Sequence, residues 1–302
     1  MRSLAWFRPG FLKPGFLTTR AVLWIQAGIL FLLAAWLYAP LAFHLASQWW
    51  QDPNYTHGFF VPVFSLFLIW ERRAKLAALR IKPAWSGLVM ILFALMTLTL
   101  STIKSGFFLY RVSVLLFIAG VVVFLAGWKH LAAISFPLAF LILMIPSTTL
   151  VERITFPLQV IASKTASFLL LLAGVPAIRE GNIILLPTAR LEVAEACSGI
   201  RSLFALLTLT VVYGYLAETR IGVRVLLALL AIPISVLANA LRIAFTGVIV
   251  ENWGVERAEG TIHLLSGWLV FIASLALIFL LHRLLQVLWL GPDEPGVREE
   301  YA

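Results

Sequence analysis

Cys197 is the only cysteine in the chain, and it stands in EVAEACSGIRSL, where a polar segment gives way to an apolar helix. A buried cysteine ordinarily packs as a small hydrophobe. At a helix amino terminus, however, the aligned peptide dipoles stabilise the thiolate, the reactive form of the residue. Ser198 and Gly199 follow, leaving first-turn N–H groups open to a developing oxyanion. Gly199 also lets a substrate come close to the main chain. Arg201, four residues on, falls on the same helix face and favours the thiolate further. Glu192 and Glu195 act the other way, since negative charge opposes thiolate formation; pairing of either with Arg201 or Arg242 stays open.

Two other polar centres lie downstream. Ser235, Asn239, Arg242 and Thr246 are spaced four, three and four in an otherwise apolar run, so they form one stripe along a helix. Such a stripe can be ordinary helix–helix glue. An arginine inside the membrane costs at least about 2.5 kcal/mol and normally faces a bundle interior or cavity. Arg242 is 18 residues past Arg224, or about 27 Å along the helix, which puts it near the far boundary. His263, with Ser266 and Gly267 on its face, opens the last apolar run, and Arg283 marks that run's other end. A thiol, a base and a fixed cation are thereby expected at one depth. This set suits nucleophilic attack on an acyl group: Cys197 attacks as thiolate, His263 moves protons, and Arg242 holds the oxyanion or the substrate. One cysteine and five scattered histidines offer no metal-ligand spacing, and no glycine-rich phosphate loop is present. No metal or other cofactor is expected.

The elements that must position these groups are membrane helices. Residues of the AVILMFWYC set make up 62% of the 302 and charged residues only 12%, with a mean hydropathy of +0.99; soluble domains run near half and a quarter. Eight apolar segments are long enough, some loosely, to span a core of about 30 Å: approximately 22–44, 56–71, 85–103, 107–127, 130–146, 197–217, 224–249 and 263–283. The second and fifth are short and interrupted by Pro62 and Pro137. The fold class is thus an all-α polytopic membrane protein. The first run is too long for a cleaved signal peptide.

The net charge of +9 reads as a topology signal, not as nucleic-acid binding. Lys and Arg gather in the amino-terminal segment, around 72–82, at Lys129 and at Arg220 with Arg224. The intervening loops are poor in them, so both termini are expected in the cytoplasm. A basic segment 1–20 precedes a membrane domain 21–287 and a short tail 288–302. Residues 147–196 then lie on the outer side, first as an amphipathic or re-entrant helix and then as a short β-hairpin or extended pair. Arg111, in the fourth span and only a turn inside the outer surface, either snorkels to that surface or serves the chemistry.

EACSGIRS, NALRI and the histidine of TIHLLSGW, taken in this order and spacing, resemble the signature blocks of the exosortase/archaeosortase family of membrane-embedded cysteine transpeptidases. DPNYTHGFFVP at 52–62 is similar to the DPNYSHG-type segment of exosortases, with Thr56 in place of Ser. The resemblance covers roughly residues 49–283. It implies Cys197 as nucleophile, Arg242 as the sortase-like arginine and His263 as acid/base, with Asn239 as a supporting residue. It also implies exported protein substrates that end in a short Pro-Glu-Pro-like motif, a transmembrane helix and a basic tail, cleaved at the outer face of a bacterial inner membrane. A further carboxy-terminal domain found in some members is not expected here. Asp52, Tyr55 and His57 either recognise the sorting motif, support His263, or simply form a polar loop anchored by Trp49 and Trp50 at the interface. The rival readings are a transporter or flippase, whose pathways also use intramembrane Arg, Asn and His, and a non-enzymatic assembly factor for polysaccharide export. Neither repeats nor mid-membrane binding groups, the usual marks of a transporter, are seen.

Overall fold

A computed structural model describes residues 19–103, 107–145, 148–193, 199–258 and 260–290. The protein is mainly helical. In chain order the helices are α1 (Thr19–Gln51), α2 (Phe60–Glu71), α3 (Arg73–Ala78), α4 (Ser86–Ile103), α5 (Phe107–Leu125), α6 (Trp128–Ala133), α7 (Ser135–Phe140) and α8 (Thr148–Leu172). A small sheet of β1 (Ile178–Glu180), β2 (Ile183–Leu185) and β3 (Arg190–Glu192) follows, and then α9 (Ile200–Ala217), α10 (Ile221–Trp253), α11 (Val255–Ala258) and α12 (Thr261–Leu285). Short 3₁₀ turns cover Pro53–Phe59 and Leu141–Met144.

Among the described residues, five helical stretches are long and apolar enough to cross a membrane: Gly28–Gln51, Arg153–Leu172, Ile200–Ala217, Ile221–Trp253 and Leu264–Leu288. Shorter apolar helices cover Ser86–Ser101, Leu109–Leu125 and Ser135–Met144. The protein is therefore a polytopic membrane protein; four of the five stretches fall on the expected first, sixth, seventh and eighth spans, and the other lies in α8. The expected second span, 56–71, is a 3₁₀ turn followed by the 12 residues of α2, about 18 Å of helix against a core of about 30 Å. The expected fifth, 130–146, is broken into α6, α7 and the Leu141–Met144 turn. These short pieces pack on one another: Ser65 Oγ donates to the Pro137 carbonyl at 2.8 Å, beside buried Val61 and Phe140.

Arg111 does not snorkel; it is 3% exposed, and its guanidinium donates to Gln48 Oε1 on α1 at 2.8 Å. Burying a guanidinium is tolerable where hydrogen-bond acceptors replace water.

The segment 178–192 pairs as expected, with one strand more. The order is β1-β2-β3, antiparallel throughout. Its inner face joins α8 and the far end of α10 in one core, with Ala162, Ala166 and Leu170 of α8 against Ala240, Ala244 and Val250 of α10 and Ile184 of β2. Small residues four apart let the two helix backbones approach. Gly247 leaves no room for a side chain: a Cβ there would lie 2.8 Å from Leu170 Cδ2. α8 thus meets the length requirement for a span while its partner surface is the far third of α10.

α9, α10 and α12 form the second core, around Leu206, Leu227, Ala231 and Ile278. Their opposite end is fastened by a buried polar network. Glu218, which caps α9, is 1% exposed and accepts the N–H groups of Thr219 and Arg220, each at 2.8 Å. Its other oxygen meets His282 Nε2 of α12 at 3.3 Å, and Tyr213 Oη lies 2.7 Å from His282 Nδ1. Burial alone would raise the Glu218 pKa, but the Arg220 N–H, His282 and the Thr219 N–H together hold it below the ordinary 4.5. His282→Ala is expected to lower stability by about 1–3 kcal/mol by stripping a buried carboxylate of a partner, read as a fall in the melting temperature of the purified protein. A depressed carboxylate stabilises above its unfolded pKa. The Glu218 contribution is therefore present above about pH 4.5 and is lost as pH falls through the lower folded value; Glu218→Gln flattens that part of the acid titration.

Candidate active site

Gly199 begins α9 with φ +75°, a left-handed conformation that favours glycine. The position also has no room for a side chain: a Cβ would come within 2.9 Å of Asn239 Cβ and Cγ. The start of α9, two residues after Cys197, is thus seated directly on Asn239 of α10. Asn239 is 3% exposed, so this stripe residue faces the protein and not lipid. One turn earlier on α10, buried Ser235 lies 3.5 Å from Ser202 Oγ, which itself bonds the Gly199 carbonyl at 2.8 Å.

Arg242 continues the stripe. Its guanidinium lies near Gly267 of α12, where an added Cβ would be in ordinary van der Waals contact with Arg242 Nη1, at 3.5 Å. Gly267 is four residues after His263, one turn along the same face of α12. Ser202 and Leu206 of α9, Ser235, Asn239 and Arg242 of α10, and Gly267, Phe271 and Ser274 of α12 enclose a cavity of about 20 Å³, the size of one water. Cys197, Ser198 and Glu195 lie outside the described residues, as does the side chain of His263. What the structure brings together is the segment after Cys197, the Asn239–Arg242 stripe and the α12 face that bears residue 263.

The other expected residues fall differently. Arg201 is exposed, while its neighbour Ser202 turns into the cavity. Glu192 is exposed on β3, and Thr246 is half-buried on α10. Asp52 caps the Pro53–Phe59 turn by accepting the Asn54 N–H at 2.9 Å. Tyr55 and His57 are buried. His57 Nε2 donates to the Leu143 carbonyl at 3.1 Å, and its ring stacks on Phe204 of α9, 5.6 Å between centroids. Trp49 Nε1 donates to the Met144 carbonyl at 3.0 Å, while a Cβ on Gly58 would strike the Trp49 indole at 2.4 Å. The DPNYTHG segment is therefore a buckle that holds the first turn of α9 against the 141–144 turn. Trp50, by contrast, is exposed. Phe204, Ser202 and Gly58 were missed by the sequence reading. Only Gly58 carries a local signal, as a glycine inside an aromatic-rich loop.

The family follows from a comparison with known families. A family model described as transmembrane exosortase matches residues 49–280. The chain belongs to the transmembrane exosortase family. No curated protein and no solved structure matches it. In this exosortase-family protein the matched region begins at the Trp49 buckle and ends within α12, so it contains every helix end that meets around Arg242.

Two outcomes follow from this geometry. Gly199→Ala is expected to lose at least about 1–3 kcal/mol from strain and overpacking, whereas Gly254→Ala, with positive φ but open space, loses only the conformational part; thermal melts of both compare them. Burial lowers the His57 pKa from 6.5, so its neutral form is favoured in the fold. Stability at this buckle is full above about pH 6.5 and falls as pH drops below it. His57→Phe, which keeps the stack and cannot charge, removes that pH dependence.

Proposed function

We propose that the protein is a membrane-embedded cysteine peptidase or transpeptidase that cleaves carboxy-terminal sorting signals of exported proteins. The observation that supports this reading is the seating of Gly199 on Asn239, beside a cavity that Asn239 and Arg242 share with Gly267 of α12. Cys197 precedes Gly199 by two residues and His263 precedes Gly267 by four, so this packing supports a common junction for thiol, cation and histidine. In this reading the Cys197 thiolate adds to the carbonyl carbon of the scissile amide. The resulting oxyanion is stabilised by the Arg242 guanidinium and by N–H groups at the start of α9. Collapse breaks the C–N bond, the leaving amine takes a proton from His263, and a Cys197 thioester remains. An acceptor amine or water, deprotonated by His263, then attacks the thioester and releases the thiolate. The substrates would carry a Pro-Glu-Pro-like motif, a transmembrane helix and a basic tail.

The orientation proposed is the one the Lys and Arg distribution supports, with both termini cytoplasmic and the junction at the outer face of a bacterial inner membrane. α10 supports the depth: its 33 residues extend about 50 Å, so Arg242, about 32 Å from the helix start, falls at the far edge of a hydrocarbon core of about 30 Å. Asn239, Ser198, Gly199 and Arg201 would serve as supporting groups, and no cofactor enters.

Co-expression with a tagged, exported reporter ending in such a signal tests the reading. Cys197→Ala is expected to abolish reporter processing. His263→Ala and Arg242→Ala are each expected to slow it about 10²- to 10³-fold while the protein still inserts into the membrane. Full processing by Cys197→Ala would overturn the enzyme reading in favour of a transporter or an assembly factor.

A further inference from the structure

The sheet ends on the strand that precedes the candidate nucleophile, and no described strand pairs with the outer side of that strand. β3 pairs with β2 alone, with Ile183 opposite Glu192, Ile184 opposite Leu191 and Leu185 opposite Arg190. The flanking hydrogen bonds fix which groups point where: Leu186 N–H donates to the Ala189 carbonyl and Val193 N–H to the Asn182 carbonyl. Main-chain groups of an antiparallel strand alternate sides. Residues 189, 191 and 193 therefore bond inward to β2, and the N–H and C=O of Arg190 and Glu192 point away from the sheet. No other described strand takes them up. An edge of this kind is a template for another extended chain.

β3 is also rigidly placed. Leu191 packs on α10, where a Cβ on Gly247 would lie 3.2 Å from Leu191 Cδ1. Thr188, on the turn before β3, donates from Oγ1 to Glu251 Oε2 of α10 at 2.7 Å. Gly247 is five residues past Arg242, or about 7.5 Å along the helix. An extended peptide advances about 3.3 Å per residue, so two or three residues of it cover the same rise along α10. Arg190 and Glu192 expose their side chains, which gives the edge one charge of each sign, while Glu192 precedes Cys197 by five residues.

We propose that the substrate's extended segment next to the scissile bond adds to the sheet as a fourth strand along β3, held by the outward N–H and C=O groups of Arg190 and Glu192. The inference rests on the peptidase reading above. A helical segment shields its own amides, so a bond presented to a nucleophile must be extended. Strand addition supplies that extension through main-chain bonds and leaves side-chain selection to alternate positions. Glu192, unfavourable as a neighbour of a thiolate, then acts on the peptide and not on the sulfur.

Cysteine pairing tests this directly, because Cys197 is the only native cysteine. In Cys197→Ala carrying Glu192→Cys, a single cysteine is moved residue by residue through the reporter segment upstream of its transmembrane helix. Disulfide capture is expected at every second reporter position, because side chains on one face of a sheet recur with period two. Uniform capture, or none, overturns strand addition. Compared with Arg190→Ala and Glu192→Ala, which delete the same side chains but keep the amides, Arg190→Pro and Glu192→Pro with Cys197 intact remove the outward N–H groups, a substitution that edge strands tolerate. Each is expected to lower kcat/KM for the reporter at least tenfold, while Arg179→Pro on the opposite edge retains the wild-type rate. Wild-type processing by Glu192→Pro also overturns the proposal. Period-two capture without any processing by the wild-type protein would instead remove the peptidase reading and keep the binding site.

Discussion

The seating of Gly199 on Asn239 is the constraint on which the candidate site depends. A Cβ at 199 would meet Asn239 at 2.9 Å on a left-handed backbone, so only glycine lets the first turn of α9 close on α10. Three residues along the same stripe, Arg242 shares the lining of one small cavity with Asn239 and with Gly267 of α12. Three helices thus meet around a single row of side chains.

What lies around that row holds it from two directions. On one side, the Trp49–Met144 and His57–Leu143 bonds and the His57–Phe204 stack pin the first turns of α9. On the other, α8 and the three-stranded sheet clasp the far end of α10, where Gly247 leaves no room for a side chain beside Leu170. The Glu218–His282–Tyr213 network fastens α9 and α12 at their opposite ends. α12 is thus fixed at both ends, which matters for a helix whose first turn carries His263. The arrangement assigns the scarce polar residues two separate tasks: some set the helices, and the Asn239–Arg242 stripe faces the junction.

Much of the site could be read from local rules. Asn239, Arg242 and Ser235 share a face because 3.6 residues make a turn, and the three line one cavity. The paired strands at 178–192 were announced by two short apolar runs around Pro187. Other readings failed because they needed a partner. Arg111 looked like a snorkelling residue until Gln48, 63 residues earlier, was found to accept its hydrogen bond. Segment 130–146 was apolar enough to read as one span, yet it breaks between α6 and α7 at Ile134, three residues before Pro137.

By itself, the sequence determined the membrane class, the family blocks and the order in which thiol, cation and histidine occur along helices of nearly fixed rise. Those are one-dimensional properties, set by composition and by the geometry of a single chain segment. Only the tertiary structure decided that Tyr55 and His57 are buried behind α9, that Ser202 rather than Arg201 faces the cavity, and that β3, beside α10, pairs with β2 alone among the described strands. Each of these depends on which surfaces exclude lipid and water from one another. That choice is made between segments tens to more than a hundred residues apart, and no local pattern encodes it.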